Sequence, residues 1–105
     1  MLTSARGFPL RSRGEVLIAN WLDARGYRWE YEARLGGFTP DFLLRDEGIV
    51  IEYFGMKGKN KKYDAKIDVK KRRYRQEGYR VIALERRHLN RLDEKLRKRL
   101  TRPPG

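Results

Sequence analysis

The sequence predicts an α/β domain in which helices flank a mixed four-stranded sheet, with the elements in the order α-β-β-β-α-β-α. Residues 27–35 alternate between apolar and charged side chains, which is the period-two pattern of a half-buried strand. Leucines at positions 89, 92, 96 and 100 recur at helical spacing and indicate an amphipathic helix. A chain of 105 residues suits one domain with one modest core.

The first helix is predicted from a start signal and a stop signal. Residues 1–10 are expected to form a flexible N-terminal arm that precedes it. Residues 12–15 then have the pattern of a capping box, with Ser12 as the N-cap and Glu15 at the third helical position. Gly26 ends the helix, whose apolar side consists of Val16, Leu17, Ala19, Trp21 and Leu22.

Three strands are predicted to follow. The first covers residues 27–35 and ends at the turn Gly36-Gly37. Pro40 lies at a strand start, where proline is tolerated, and the second strand covers residues 41–44. A tight turn at 45–48 leads to the third strand at 49–54.

The second half of the chain predicts two helices and one strand. A polar loop at 55–60 leads to a helix over residues 61–76, which Gly78 stops, and to a fourth strand at 79–84. The last helix covers 89–100, and its leucines pack either on the core or on a second subunit, which would make the chain a homodimer. Residues 11–100 therefore form a single domain, with a C-terminal tail at 101–105.

Composition excludes several classes of protein. There is no cysteine, which excludes a disulfide scaffold, a thiolate metal site and a cysteine nucleophile. The single histidine, His88, makes a histidine-rich metal site or a His-centred triad a poor interpretation, and a nuclease built on His88 and Asn90 is equally poor. No apolar run is long enough to span a membrane, and no signal peptide is readable, so a cytoplasmic protein is expected.

Positive charge is concentrated in the second half of the chain. The formal net charge is +12, but residues 1–56 carry seven basic and eight acidic side chains. Residues 57–75 carry ten basic and two acidic side chains, and residues 86–105 carry eight and two. This imbalance favours contact with a polyanion such as nucleic acid, although a solvated, charge-rich surface would also account for it.

The predicted hairpin of the second and third strands places two carboxylates side by side. A four-residue loop at 45–48 puts Asp41 opposite Glu52 on one face of the sheet. Like charges so placed are tolerated if both reach water, if one is protonated, or if a cation such as Mg²⁺ lies between them. In the alternative interpretation, Asp41 caps a turn after Pro40 and Glu52 lies on a solvated face.

Two further residues are candidates for the same site. Glu15 is explained by the capping box, but a carboxylate at the start of the first helix could also lean toward the sheet. Lys70 shares a helical stripe with Tyr63, Ile67 and Tyr74, so it lies on the apolar face of the second predicted helix. Its ammonium either extends to solvent from that face or reaches the carboxylate pair, where it would polarise a water or offset charge on a phosphate.

These motifs together resemble a known family. The segments SRGE at 12–15, PDF at 40–42 and IEYFG at 51–55, with Lys70 and Tyr74, resemble a small subfamily of the PD-(D/E)XK nucleases. Its members occur beside helicase domains and as free-standing nucleases similar to those of very-short-patch repair. The resemblance covers about residues 11–85 and implies a restriction-endonuclease-like core.

The resemblance implies a metal-dependent DNA endonuclease that hydrolyses phosphodiester bonds. Asp41, Glu52 and the carbonyl of Tyr53 would hold Mg²⁺, for which Mn²⁺ is an expected substitute. The family motif has a lysine two residues after the acid, where this chain has Phe54. In the resembled subfamily an aromatic residue stands there and the following helix supplies the lysine, which implies Lys70 and, as second choice, Lys66.

DNA is the partner that both the charge and the resemblance favour. The cations expected to contact it lie in the two basic segments and are Lys57, Lys59, Lys61, Lys62, Lys66, Arg73, Arg86 and Arg87. The alternative is a basic nucleic-acid-binding module without activity, either an inactive nuclease relative or a ribosome-associated protein. Such a module does not need a carboxylate pair near its anionic ligand.

Overall fold

The structure is a computed structural model that describes residues 2–55 and 61–100, with the backbone alone at 61–63. It contains strands β1 to β6, helices α1 to α3 and one 3-10 helix. The strands are Leu2–Thr3, Pro9–Leu10, Glu30–Tyr31, Phe42–Leu44, Ile49–Tyr53 and Arg80–Leu84. The α-helices are Arg13–Ala24, Lys61–Gln76 and Leu92–Leu100, and the 3-10 helix is Arg86–Arg91. The predicted loop beyond Gly55 and the predicted tail lie outside the described residues.

A mixed four-stranded sheet in the order β3-β4-β5-β6 forms the centre of the fold. β3, β4 and β5 are antiparallel neighbours, whereas β6 pairs with β5 in parallel. A parallel neighbour needs a crossover connection, and α2 is that connection between β5 and β6. The predicted α/β class and mixed four-stranded sheet are therefore confirmed, and α2 has the predicted bounds.

The register of the β4–β5 hairpin is the predicted one. Phe42 pairs with Ile51, and the two following positions pair in step down to the four-residue turn at 45–48. Since side chains alternate along a strand, the two faces of this hairpin enter different clusters. Phe42 and Ile51 pack with α1 and α3, while Leu43 and Val50 pack against Tyr74 of α2.

The first predicted strand, residues 27–35, differs from the prediction in length and in the faces it presents. Only Glu30–Tyr31 is a strand, because Glu32 has a left-handed φ of 54° that interrupts the alternation. Tyr31 therefore packs in the cluster of α1, while Ala33 packs in the cluster of Tyr74 on the opposite face. The interruption is not readable from the alternating pattern, which would place both side chains on one face.

The predicted turn at Gly36-Gly37 is present. Leu35 and Phe38 exchange two main-chain hydrogen bonds across it, of 2.8 and 3.0 Å. Both glycines have positive φ, 59° and 85°, which is the geometry of a two-residue hairpin turn that side chains would strain.

Residues 2–10 form a short hairpin of β1 and β2, where the sequence predicts a flexible arm. The amide of Ala5 donates to the side-chain oxygen of Asn20 at 2.8 Å, which ties the hairpin to α1. Leu10 is completely buried, and Phe8 packs edge-on against Trp29 with 5.0 Å between ring centroids. These contacts are made with residues far along the chain, so the local sequence does not reveal them.

The last predicted helix begins later than the leucine spacing suggests. Leu89 lies in the 3-10 helix, and α3 begins only at Leu92. His88 accounts for the 3-10 turn, because its Nδ1 accepts a hydrogen bond of 2.9 Å from the amide of Glu85. Leu92, Leu96 and Leu100 are buried in the chain's own core, which is the first of the two packings that the sequence leaves open. None of the helices in the described part of the chain is long and apolar enough to span a bilayer.

The packing of α3 predicts a large loss of stability in Leu96→Ala. Leu96 is completely buried, and such truncations cost about 2–5 kcal/mol because they leave a cavity. The matched control is Leu17→Ala on α1, whose leucine is 38% exposed and which should cost under about 1 kcal/mol. Urea unfolding at two protein concentrations checks this. Equal losses in the two variants, or a midpoint that depends on concentration, would contradict packing of Leu96 within one chain.

Candidate active site

Asp41 and Glu52 lie side by side at the end of the β4–β5 hairpin. The amide of Asp41 donates to Oε1 of Glu52 at 2.7 Å, and the amide of Tyr53 donates to Oδ2 of Asp41 at 2.7 Å. Each acid thus accepts a hydrogen bond from the main chain of the other strand. The arrangement follows from the hairpin register, which places position 41 opposite position 52.

Burial makes the ionised form of this pair costly. Glu52 is only 3% exposed, and burial raises its pKa above the usual range for a glutamate. Burial, followed by the charge of Glu52, raises the pKa of Asp41 to about 8, although the hydrogen bond from the Tyr53 amide opposes the shift. Neither acid forms a salt bridge within residues 2–55 and 61–100. The two carboxylates therefore resist carrying two negative charges at once.

Glu15 reaches the pair from the first turn of α1. It is 6% exposed, and its Oε1 accepts hydrogen bonds from the amide of Arg11 at 3.1 Å and from the hydroxyl of Tyr31 at 3.0 Å. The Ser12 hydroxyl caps the amide of Glu15 as predicted, but the Glu15 carboxylate accepts from Arg11 instead of Ser12. Glu15 also raises the pKa of Asp41 through its charge and through a hydrogen bond between the side chains.

Lys70 is the cation that acts on the pair from α2. Its side chain is half-buried, and its positive charge lowers the pKa of Glu52 against the effect of burial. Lys66, the second choice from sequence, is exposed. Phe54 occupies the place where the resembled motif has a lysine, and it is 4% exposed.

Tyr74, which is also in α2, lies beside the carboxylate pair. Its hydroxyl is buried, and it interacts with Glu52 as a hydrogen-bond donor of non-standard geometry, which lowers the pKa of Glu52. Burial raises the pKa of Tyr74, and the charges of Glu52 and Asp41 raise it further, so the hydroxyl stays protonated beside them. Tyr74 therefore offers a protonated donor to Glu52, which favours the ionised form of that carboxylate.

A groove of about 790 Å³ opens beside the acids. Glu15 and Tyr53 line it, and both act on Asp41, although Asp41 and Glu52 are not themselves in the lining. Three arginines from two parts of the chain also line it: Arg11, Arg13 and Arg86. Sequence reasoning missed Arg11 and Arg13, because they belong to the half of the chain without net positive charge. Their position around the capping box of a helix that carries a candidate acid is the signal that could have found them.

Of the other cations predicted to bind nucleic acid, those whose side chains the structure describes do not line this groove. Arg73 donates to the carbonyl of Gly36 at 3.1 Å and pairs with Glu77 at 3.7 Å, so it holds the glycine turn. Arg87 is highly exposed and lies 3.7 Å from Glu85. Lys57 and Lys59 lie outside the described residues, as do the side chains of Lys61 and Lys62.

The candidate ligands are of the type that a hard divalent cation prefers, although they are few. No three His, Cys, Asp or Glu side chains are arranged to hold a metal ion among the residues that the structure describes. Asp41 and Glu52 nevertheless supply carboxylate oxygens, the ligands that Mg²⁺ takes with water completing its shell. A cation there would also offset the repulsion that raises the pKa of Asp41, so the residues fit Mg²⁺.

Comparison of the chain with protein-family models, with curated proteins and with solved structures finds no significant match.

The raised pKa of Asp41 predicts that Asp41→Asn stabilises the metal-free protein above neutral pH. The folded state binds this proton more tightly than the unfolded state, whose pKa is near the usual 3.8, so stability falls as pH rises from about 4 to about 8. The amide side chain keeps the acceptor for Tyr53 and removes the charge. We expect a gain of at least about 2 kcal/mol at pH 8, since one pKa unit is about 1.4 kcal/mol.

Unfolding in EDTA from pH 4 to 9 measures this effect, and Glu30→Gln is the control. Glu30 is exposed and pairs with Arg45 at the surface, so its replacement should leave the pH profile nearly unchanged. An Asp41→Asn profile as steep as that of the wild type would show that Asp41 is not a source of the pH dependence.

Proposed function

We propose that this protein is a metal-dependent DNA endonuclease with a restriction-endonuclease-like core. The observation that carries the proposal is the Asp41–Glu52 pair, in which Glu52 is buried and Asp41 half-buried, and which a chain of net charge +12 keeps without a salt bridge among its described residues. A basic protein that only binds DNA gains nothing from such a pair. A hydrolase that brings a cation to a phosphodiester does, because clustered carboxylate oxygens bind the cation.

Asp41, Glu52 and the main-chain carbonyl of Tyr53 are the ligands that would hold Mg²⁺, with Mn²⁺ as a substitute. A metal held there would lower the pKa of a water molecule and would stabilise negative charge at the scissile phosphate. Tyr53 is suited to this role because its amide is already bonded to Asp41, which holds the main chain against the carboxylates.

Lys70 would orient the attacking water and offset charge that develops on the phosphate. Its charge acts on Glu52 from α2. The Lys70 ammonium could therefore do the work of the motif lysine, whose place in the sequence is taken by Phe54. Glu15 would hold Asp41 in place from α1, since its own carboxylate is bonded to the Arg11 amide and to Tyr31. The arginines beside the pair supply the backbone contacts that DNA requires.

A non-catalytic DNA-binding module is the second candidate. Two observations favour it: Phe54 stands in place of the motif lysine, and no group of three ligands occurs among the described residues. The two candidates differ in whether DNA is cut when Mg²⁺ is supplied, and in whether cutting depends on Asp41 and Glu52.

We expect the protein to cut DNA with Mg²⁺ or Mn²⁺ and to be inactive in EDTA. Linear, nicked, single-stranded and branched DNA should be compared on gels to identify which DNA structure is cut. Asp41→Asn and Glu52→Gln should lower the rate by at least about 100-fold, since each removes a metal-binding charge, while DNA binding survives.

Glu30→Gln is again the matched control, because it removes one surface carboxylate and should cut at the wild-type rate. Cutting that persists in both site variants would disprove the assignment of the carboxylate pair. Tight binding without cutting on any substrate would favour the non-catalytic module.

Lys70→Ala should lower the cutting rate more than Lys66→Ala. The Lys70 charge acts on Glu52, so its loss should reduce kcat by about 10–100-fold with little change in KM. Lys66 is exposed, and its loss should act mainly through weaker binding at low substrate concentration. Steady-state rates on one fluorescent oligonucleotide separate the two effects. A larger kcat loss in Lys66→Ala would transfer the role to that residue.

A further inference from the structure

We infer that the groove between α1 and the 3-10 helix binds the phosphodiester backbone of the DNA strand that enters the carboxylate site. This inference rests on the proposed function and names the substrate contact of the same site. It assigns binding to Arg11 and Arg13, which lie outside the basic segments of the sequence. It also separates Arg86 from its neighbour Arg87, which does not line the groove.

The groove gathers cations from two elements that are distant in sequence. Arg13 begins α1 and Arg86 begins the 3-10 helix, so tertiary packing brings their side chains to one cavity. Neither forms an ion pair within the part of the chain that the structure describes. Arg11 is paired with Glu32 at 2.9 Å but remains highly exposed. Each guanidinium group carries a fork of N–H donors that fits phosphate oxygens, so several of them in one groove suit a phosphate backbone.

Tyr53 and two glycines connect the groove to the acids. A Cβ on Gly14 would lie 2.5 Å from Cζ of Tyr53, and a Cβ on Gly55 would lie 3.1 Å from the same ring. The absence of both side chains lets the Tyr53 ring lie between the first turn of α1 and the end of β5. The Tyr53 side chain lies on the α1 face of the sheet, opposite to that of Glu52, but the Tyr53 amide donates to Asp41. Glu15 lines the groove and also acts on Asp41, so a strand held in the groove lies next to two residues that contact the carboxylate pair.

The groove also suits the sugar part of a nucleic-acid backbone. Leu17 and Leu89 line it beside the arginines, and Leu17 is 38% exposed without another described role. Glu15 is the acid in the lining, and it is 6% exposed with its Oε1 bonded to Arg11 and Tyr31. The surface that a ligand meets is therefore cationic and partly apolar, which fits phosphates and deoxyriboses better than it fits a free acidic peptide.

Fluorescence anisotropy in EDTA tests the inference without any need for cutting. The probe is a fluorescein-labelled DNA of about 20 nucleotides, used as a single strand and as a duplex. Arg13→Gln and Arg86→Gln should each weaken binding by about 3–10-fold near 0.1 M salt. Each should also reduce the slope of log K against log salt by about 0.9 on duplex or about 0.7 on single strands, and the double variant by twice as much.

Two variants control for the loss of one positive charge. Arg34→Gln removes an exposed arginine that lies outside the groove, and it should weaken binding by less than about 2-fold. Arg87→Gln removes the immediate neighbour of Arg86 and should behave as Arg34→Gln does. Losses in Arg13→Gln and Arg86→Gln no greater than in Arg34→Gln, or an equal loss in Arg87→Gln, would overturn the groove assignment.

The outcome is distinguishable from failure of the nuclease assignment. If DNA binding depends on Arg13 and Arg86 but the protein cuts no DNA, the groove assignment stands and the nuclease assignment fails. If cutting depends on Asp41 and Glu52 but DNA binding is unaffected by Arg13→Gln and Arg86→Gln, the nuclease assignment stands and the groove assignment fails. Thermal unfolding of each variant verifies that these exposed substitutions leave the fold intact.

Discussion

The two hydrogen bonds that cross the end of the β4–β5 hairpin are the constraint on which the rest of this site depends. Each carboxylate accepts a hydrogen bond from a main-chain amide on the other side of the hairpin, so Asp41 and Glu52 are held together although their charges repel. Burial of two like charges costs free energy, which appears as the raised pKa of both groups. A fold that keeps this arrangement carries a local cost that core packing elsewhere must offset.

Elements on both faces of the sheet converge on that pair. Lys70 and Tyr74 approach from α2, while Glu15 approaches from α1 and is itself held by Tyr31. The approach from two faces is possible because the acids lie one residue beyond Phe42 and Ile51, the last pair between β4 and β5. Glu15 and Tyr53, which act on Asp41, also line the arginine-bearing groove, so the carboxylate pair and the groove have two neighbouring residues in common.

The parts of the fold that were predictable from sequence are those that local rules determine. The 3.6-residue period and Gly78 define α2, and the four-residue turn defines the register that puts Asp41 beside Glu52. Prediction failed where distant residues decide the backbone. Glu32 leaves the strand conformation, and the 2–10 segment folds back as a hairpin tied to Asn20, although neither change is visible in the local pattern.

The sequence by itself determined the carboxylate pair, since turn length and period-two alternation are local properties that fix which residues face each other across a hairpin. Only the tertiary structure decided which partners the pair has. Lys70 is half-buried with its charge acting on Glu52, whereas Lys66 is exposed, and that depends on how α2 packs on the sheet. The groove arginines were decided in the same way, because net charge along a chain does not record which side chains packing brings to one cavity.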